Sequence, residues 1–154
     1  MSLLSVIVPC YNEEESVALF YQELTKNDPF FKEKEIELEL LYIDDGSKDG
    51  TVREVKKLIE QDSRVHIVSF SRNFGKEAAI FAGLAQACGD VVAVMDCDLQ
   101  HPPEKIIEMY HLWENGYKVV EGVKLSRGRE SFLHKWAAGM FYALISAATK
   151  IDMR

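Results

Sequence analysis

The chain has 154 residues, one domain's worth and enough to bury a full core. At 47% hydrophobic and 28% charged residues it reads as globular rather than disordered, and a net charge of −7 argues against nucleic acid as a partner. The charge is uneven: residues 118–154 carry seven Lys and Arg against three acids, so the last quarter is expected to meet something anionic, such as phosphate or a lipid surface.

Strand and helix alternate from the start. Leu3–Pro9 is an apolar strand, and Glu13–Lys26 follows as a helix with Asn12 placed to cap it. Glu33–Glu39 is charged and reads as a solvated lead-in to a second strand, Leu38–Ile43. A Gly-Ser-Lys-Asp-Gly turn then opens the helix Thr51–Gln61. Val65–Phe70 is a third strand, Lys76–Ala87 an alanine-rich helix, and Asp90–Met95 a fourth strand. Pro103–Glu114 is a helix opening on a proline pair, Tyr117–Glu121 a short fifth strand, and Glu130 to Lys150 a final amphipathic helix. Strands that are apolar throughout, separated by helices, predict a Rossmann-like, doubly wound α/β fold with a mostly parallel sheet. Such sheets bind ligands at the carboxyl ends of their strands, which is where the polar clusters fall.

The fourth strand ends in Asp96-Cys97-Asp98, two carboxylates one residue apart that would repel each other without a cation between them. Mg²⁺ or Mn²⁺, shared with substrate phosphates, is the natural partner; a polar turn is the plainer alternative. After the second strand, Asp49 and Thr51 are explained by capping, but the adjacent Asp44-Asp45 is not. One of that pair is expected to face the ligand edge and accept hydrogen bonds from a nucleobase or ribose. After the first strand, Glu14 and Glu15 suit the helix dipole, and Tyr11 offers a flat face for a base. That loop is expected to hold the nucleoside end, with Asn12 and Glu13 beside it. Arg72 and Lys76 flank a glycine turn after the third strand; either reads equally well as a surface charge, and Lys76 is the candidate for cofactor binding. Cys10 and Cys97 read as packing thiols, and His101, His111 and His134 lack ligand spacing. The three cysteines and the lack of a recognisable signal peptide indicate a reducing, cytosolic setting. No apolar run reaches the ~18 residues that span a bilayer.

Four ordered clusters resemble the family-2 nucleotide-sugar glycosyltransferases of GT-A fold: Val6–Glu13, Asp44–Thr51, Asn73–Ala79 and Asp96–Glu104. The last two, with Glu121–Arg127 and Glu130–Phe132, resemble the polyprenyl-phosphate branch, which includes dolichyl-phosphate mannose synthase and undecaprenyl-phosphate glucosyltransferases. The resemblance implies that Pro9, Tyr11, Glu13 and Asp45 hold the nucleoside and that Asp96, Asp98 and Gln100 surround a divalent metal. It also implies that Lys124 and Arg127 approach the phosphates. Two departures stand out: Cys97 where alanine is commoner, and Lys124 where arginine is frequent, a point charge in place of a bidentate grip.

The function this implies is metal-dependent, inverting transfer of a sugar from a UDP- or GDP-sugar to a polyprenyl phosphate, with Asp96 and Asp98 at the reacting centre. Transfer to a sugar hydroxyl in polysaccharide or cell-wall synthesis is one alternative, and a non-catalytic nucleotide-binding domain is another. Family members continue past Ile151-Asp152-Met153-Arg154, many into transmembrane helices, so residues 1–154 are expected to be the donor-binding part of a longer catalytic domain. The whole protein is expected at the cytoplasmic face of a membrane, with the helix Ser131–Thr149 lying on its surface or in the core, and a homo-oligomer stays open.

Overall fold

Four strands and five helices alternate along residues 2–122, the part of the chain that this computed structural model describes. The strands β1 (Ser2–Cys10), β2 (Ile36–Asp44), β3 (Val65–Ser69) and β4 (Val91–Val94) form one parallel sheet in the order β3-β2-β1-β4. The helices are α1 (Val17–Thr25), α2 (Asp28–Glu33), α3 (Thr51–Gln61), α4 (Lys76–Gln86) and α5 (Lys105–Glu114).

Successive side chains of a strand point to opposite faces, and both faces of this sheet are covered. Leu4, Val6 and Val8 of β1 join Leu38, Leu40 and Tyr42 of β2 in one core cluster with Phe20 and Leu24 of α1, Val55 of α3 and Ile106 of α5. Ile7, Leu41 and Ile43 form a second cluster with Ala79 of α4. Burial on both sides is why these strands are continuous apolar runs rather than alternating ones. Val6, Ile7 and Val8 are fully buried, each contributing ~1.5–3 kcal/mol of transfer free energy. Gly83 lets α4 lie close to the sheet, since a Cβ there would strike the Ile7 side chain.

The strand order decides where a ligand can go. From β1 the chain builds outward through β2 to β3, then returns to place β4 on the other side of β1. Loops from the two sides diverge at that reversal and leave a crevice at the carboxyl ends of β1 and β4.

Several sequence expectations need correction. The first helix begins at Val17 instead of Glu13; residues 13–16 form a turn, with Ser16 N and Val17 N donating to Glu13 O. Asn12 therefore caps no helix. The charged stretch before the second strand is not a plain lead-in. Its first residue closes α2, a helix that Asn27-Asp28-Pro29 disguises as a turn, and β2 already begins at Ile36 with Ile36 and Leu38 buried. The expected strand Tyr117–Glu121 is absent: the segment has no regular structure, with Tyr117 60% and Val119 86% exposed. A strand needs a paired neighbour, and among the described residues β4 pairs only with β1; Val92 and Val94, on one face of β4, are exposed. The helix expected from Glu130 to Lys150 lies outside the described residues, as do Lys124 and Arg127.

Candidate active site

An open cleft of about 290 Å³ lies at the crevice, and all four strand ends line it. β1 supplies Pro9, Cys10, Tyr11 and Glu13, and β2 supplies Asp45. The loop after β3 brings Asn73, Gly75 and Lys76, and β4 brings Asp96, Cys97 and Asp98. The volume is near the lower end for small-molecule sites, which run from ~300 Å³.

The first wall is built from backbone donors meeting side-chain acceptors. Asn12 stands in the left-handed region at φ 56°, where asparagine is tolerated. Its N–H donates to Ser47 Oγ at 2.9 Å, and its Oδ1 accepts from Lys48 N at 2.9 Å. Next to it, Glu13 N donates to Thr51 Oγ1 at 2.8 Å, and Glu14 N to Asp49 Oδ2 at 3.2 Å. Gly50 N returns the exchange by donating to Glu14 Oε2 at 2.7 Å. Five hydrogen bonds thus lace the loop after β1 to the loop after β2, and Asn12 is part of that lacing rather than of the cleft lining. Asp49 Oδ1 also accepts from Thr51 N at 3.0 Å, but the cap position of α3 is Gly50, which has no side chain to cap with, so neither Asp49 nor Thr51 fills the capping role expected of it.

The adjacent Asp44 and Asp45 divide their roles. Asp44 turns away from the cleft, 1% exposed, with Ser47 N donating to Oδ1 at 3.0 Å and the Ser69 hydroxyl to Oδ2 at 2.6 Å. Asp45 faces the cleft, 4% exposed, and receives Phe74 N on Oδ1 at 2.7 Å and Gly75 N on Oδ2 at 2.9 Å. The loop it grips rests on Gly46, whose φ of +72° favours glycine and whose missing Cβ leaves room for the backbone of Arg72. Arg72 itself lies over the Phe74 ring, 4.6 Å from its centroid. That accounts for one of the two cations of this loop.

The other cation crosses the cleft. Lys76 Nζ, on the first residue of α4, is 2.5 Å from Asp96 Oδ1. Asp98 is exposed, and its Oδ1 accepts from Gln100 N at 3.0 Å, a local turn made with Leu99 at φ 58°. Gln100 and His101 are exposed and do not line the cleft. Between the two walls sit the thiols. Burial pushes both up, Cys97 to about 12, so both are protonated at neutral pH and neither is a nucleophile. Tyr11 is 41% exposed at the mouth, with its ring open to a ligand.

Asn73 lines the cleft and was not singled out from the sequence. The available signal is its place in the Asn73–Ala79 cluster together with Lys76. A metal's fit is decided by donor chemistry. Among the described residues no three His, Cys, Asp or Glu side chains converge as a cage. Two cleft-lining carboxylates, Asp96 and Asp98, suit a hard cation such as Mg²⁺ or Mn²⁺, which keeps waters and takes substrate phosphates as its remaining ligands.

The chain resembles known proteins in sequence and in fold. The chain is 44% identical over 149 residues to the uncharacterized glycosyltransferase YkcC of Bacillus subtilis, covering 97% of this chain and 45% of that protein. It is 40% identical over 141 residues to the bactoprenol glucosyl transferase of Shigella phage SfV, covering 92% and 45% respectively. The chain thus spans less than half the length of these relatives. The mannosyltransferase PcManGT from Pyrobaculum calidifontis, solved in complex with GDP-Man and Mn²⁺, superposes with a TM-score of 0.55 at 27% identity, over 63% of this chain and 28% of that one. No helix among the described residues is long and apolar enough to cross a membrane. Residues 5–152 match the family described as glycosyl transferase family 2, and with this parallel α/β sheet of GT-A type the chain belongs to that family.

Proposed function

We propose that this chain carries the donor site of an inverting transferase that moves a sugar from a UDP- or GDP-sugar to a polyprenyl phosphate, aided by Mg²⁺ or Mn²⁺. The observation that carries the reading is the convergence of Tyr11, Asp45, Lys76, Asp96 and Asp98 on one cleft from four strand ends. In this reading Tyr11 stacks on the base, while Pro9, Glu13 and Asp45 hold the nucleoside. Asp45 keeps lone pairs for a ligand beyond the two N–H groups it already accepts. Lys76, with the amino end of α4 behind it, meets the diphosphate. Asp96 and Asp98 would hold the divalent cation, which when bound supplies Lewis-acid neutralisation of the leaving diphosphate. The bond from the anomeric carbon to the diphosphate oxygen breaks, and one to an oxygen of the acceptor phosphate forms on the opposite face. A lipid phosphate is already an anion, so no residue is needed to deprotonate it.

The acceptor assignment draws on the printed name of the Shigella phage relative and on the basic segment that includes Lys124 and Arg127. A membrane-bound acceptor places the working protein at a membrane surface. Calorimetry on the full-length protein with UDP, GDP and Mn²⁺ tests the donor half: nucleotide binding that strengthens with metal is expected. Labelled nucleotide sugar offered with a polyprenyl phosphate or with soluble sugar acceptors tests the other half. Label in the lipid fraction is the expected result, and label in the soluble acceptor would overturn the acceptor assignment.

A further inference from the structure

We propose that Lys76 is a place-holding counter-ion. It neutralises Asp96 while the cleft is empty, then yields that carboxylate to the divalent cation and turns to the nucleoside diphosphate as the two arrive. The inference rests on the donor-site reading above and adds an order of events to it.

Three observations carry it. Lys76 Nζ already sits on Asp96 Oδ1 at 2.5 Å, the position a dication held by Asp96 and Asp98 would contest. A doubly charged ion and an ammonium repel each other at contact distance, so one must give way. The second observation is that the ammonium is the mobile partner. Its side chain is 55% exposed against 32% for Asp96, and four rotatable carbons carry the charge. The third is that its root is fixed. The preceding Gly75, at φ +100°, is held by Asp45 Oδ2 through its N–H at 2.9 Å, so the lysine swings from an anchored backbone.

The other cleft carboxylates give the displaced ammonium little alternative. Each oxygen of Asp45 already accepts a backbone N–H, which makes it a weaker partner for an ammonium than Asp96, and Glu13 comes from the loop after β1. The diphosphate is the incoming anion, and it enters beside the amino end of α4, where the helix dipole favours negative charge. Cation and diphosphate then assist each other. The cation frees Lys76 for the phosphates, and the phosphates draw Lys76 off Asp96, a coupling that is reciprocal by linkage.

Binding measurements without turnover test this on the full-length protein. Mn²⁺ affinity is read by electron paramagnetic resonance with no nucleotide present, and UDP and GDP affinity by calorimetry with no metal present. Lys76→Met is expected to bind Mn²⁺ alone about fivefold more tightly than wild type, the scale of one partly exposed ion pair, and to bind UDP or GDP alone more weakly. Arg72→Met removes a cation from the same loop, but one that lies over Phe74, and is expected to change Mn²⁺ affinity by less than about twofold. Unchanged or weakened Mn²⁺ binding in Lys76→Met overturns the proposal, as does an equal gain in Arg72→Met. If wild type binds Mn²⁺ together with UDP or GDP but Lys76→Met shows no gain, the donor site stands and the place-holder falls. If wild type binds no Mn²⁺ with either nucleotide, both fall.

Discussion

Two acidic pairs end two strands of the same sheet, and they do different work. Asp44 and Asp45 after β2 are 1% and 4% exposed, and each of their four oxygens accepts a hydrogen bond from the protein. Asp96 and Asp98 after β4 are more open. Among the described residues one is paired only with an exposed ammonium, and the other with the N–H two residues along. The first pair is anchored into the cleft wall, with Asp45 turning its remaining lone pairs to the cleft, and the second is held by fewer protein donors and is more open to what enters. The number of protein donors in reach, rather than position at a strand end, separates an anchored carboxylate from an open one.

The contrast breaks most visibly at Gly46, on which the built wall depends. Gly46→Ala adds a Cβ at φ +72° against the Arg72 backbone, combining left-handed strain with overpacking. A loss of about 3 kcal/mol is expected in urea unfolding, with weaker nucleotide binding as the loop after β3 is pushed outward. On the open wall the opposite split is expected. Asp98→Asn should leave unfolding within about 0.5 kcal/mol of wild type, as surface changes do. Yet it should cut Mn²⁺-dependent nucleotide binding by about a hundredfold, the upper end of what altering a metal's surroundings costs. Asp45→Ala reverses the pattern by leaving Phe74 N and Gly75 N without their acceptor, and should cost about 2 kcal/mol of stability. Asp45→Asn keeps one acceptor oxygen and should recover about half of that. Equal stability losses in Asp98→Asn and Asp45→Ala would erase the distinction between the walls.

The sheet was legible because its strands are buried on both faces, and a run such as Val6-Ile7-Val8 has few other readings. Helix starts were less so. Asn12 looks like a cap by type and position, but its side chain reaches Lys48 N in a loop 36 residues away, a partner no local pattern reveals. α2 was hidden by its shortness and by a proline that serves a turn or a first helical turn equally well. At the site, clustering at strand ends marked the right neighbourhood. The sequence could not say which of Asp44 and Asp45 faces the ligand, since that depends on where Ser69 and the Phe74–Gly75 backbone come to rest. Nor could it pair Lys76 with Asp96 across 20 positions, since that needs the return of the chain to the far side of β1.

A third acidic pair, remote from the cleft, shows what a permanent counter-ion does and sharpens the case of Lys76. Arg64 donates to Asp28 from Nη1 at 2.9 Å and from Nη2 at 3.0 Å, and to Asp62 from Nε at 3.0 Å and Nη2 at 2.8 Å. Its rigid fork holds both carboxylates at once, which a lysine cannot do. The Arg64 hydrogen bonds hold the Asp62 carboxyl down at about 2, against an ordinary 3.8. Because the folded value lies below the unfolded one, the unfolded chain takes up the proton first as pH falls. The stabilisation is therefore complete above about pH 4 and is lost as pH drops toward 2, and is worth about 1 kcal/mol after solvent screening. Asp62→Asn should be less stable than wild type by that amount at pH 6, and the two urea midpoints should converge near pH 2. A gap that stayed constant across that range would mean that Asp62 contributes through packing and neutral hydrogen bonds, and that Arg64 is no more a fixed counter-ion than Lys76.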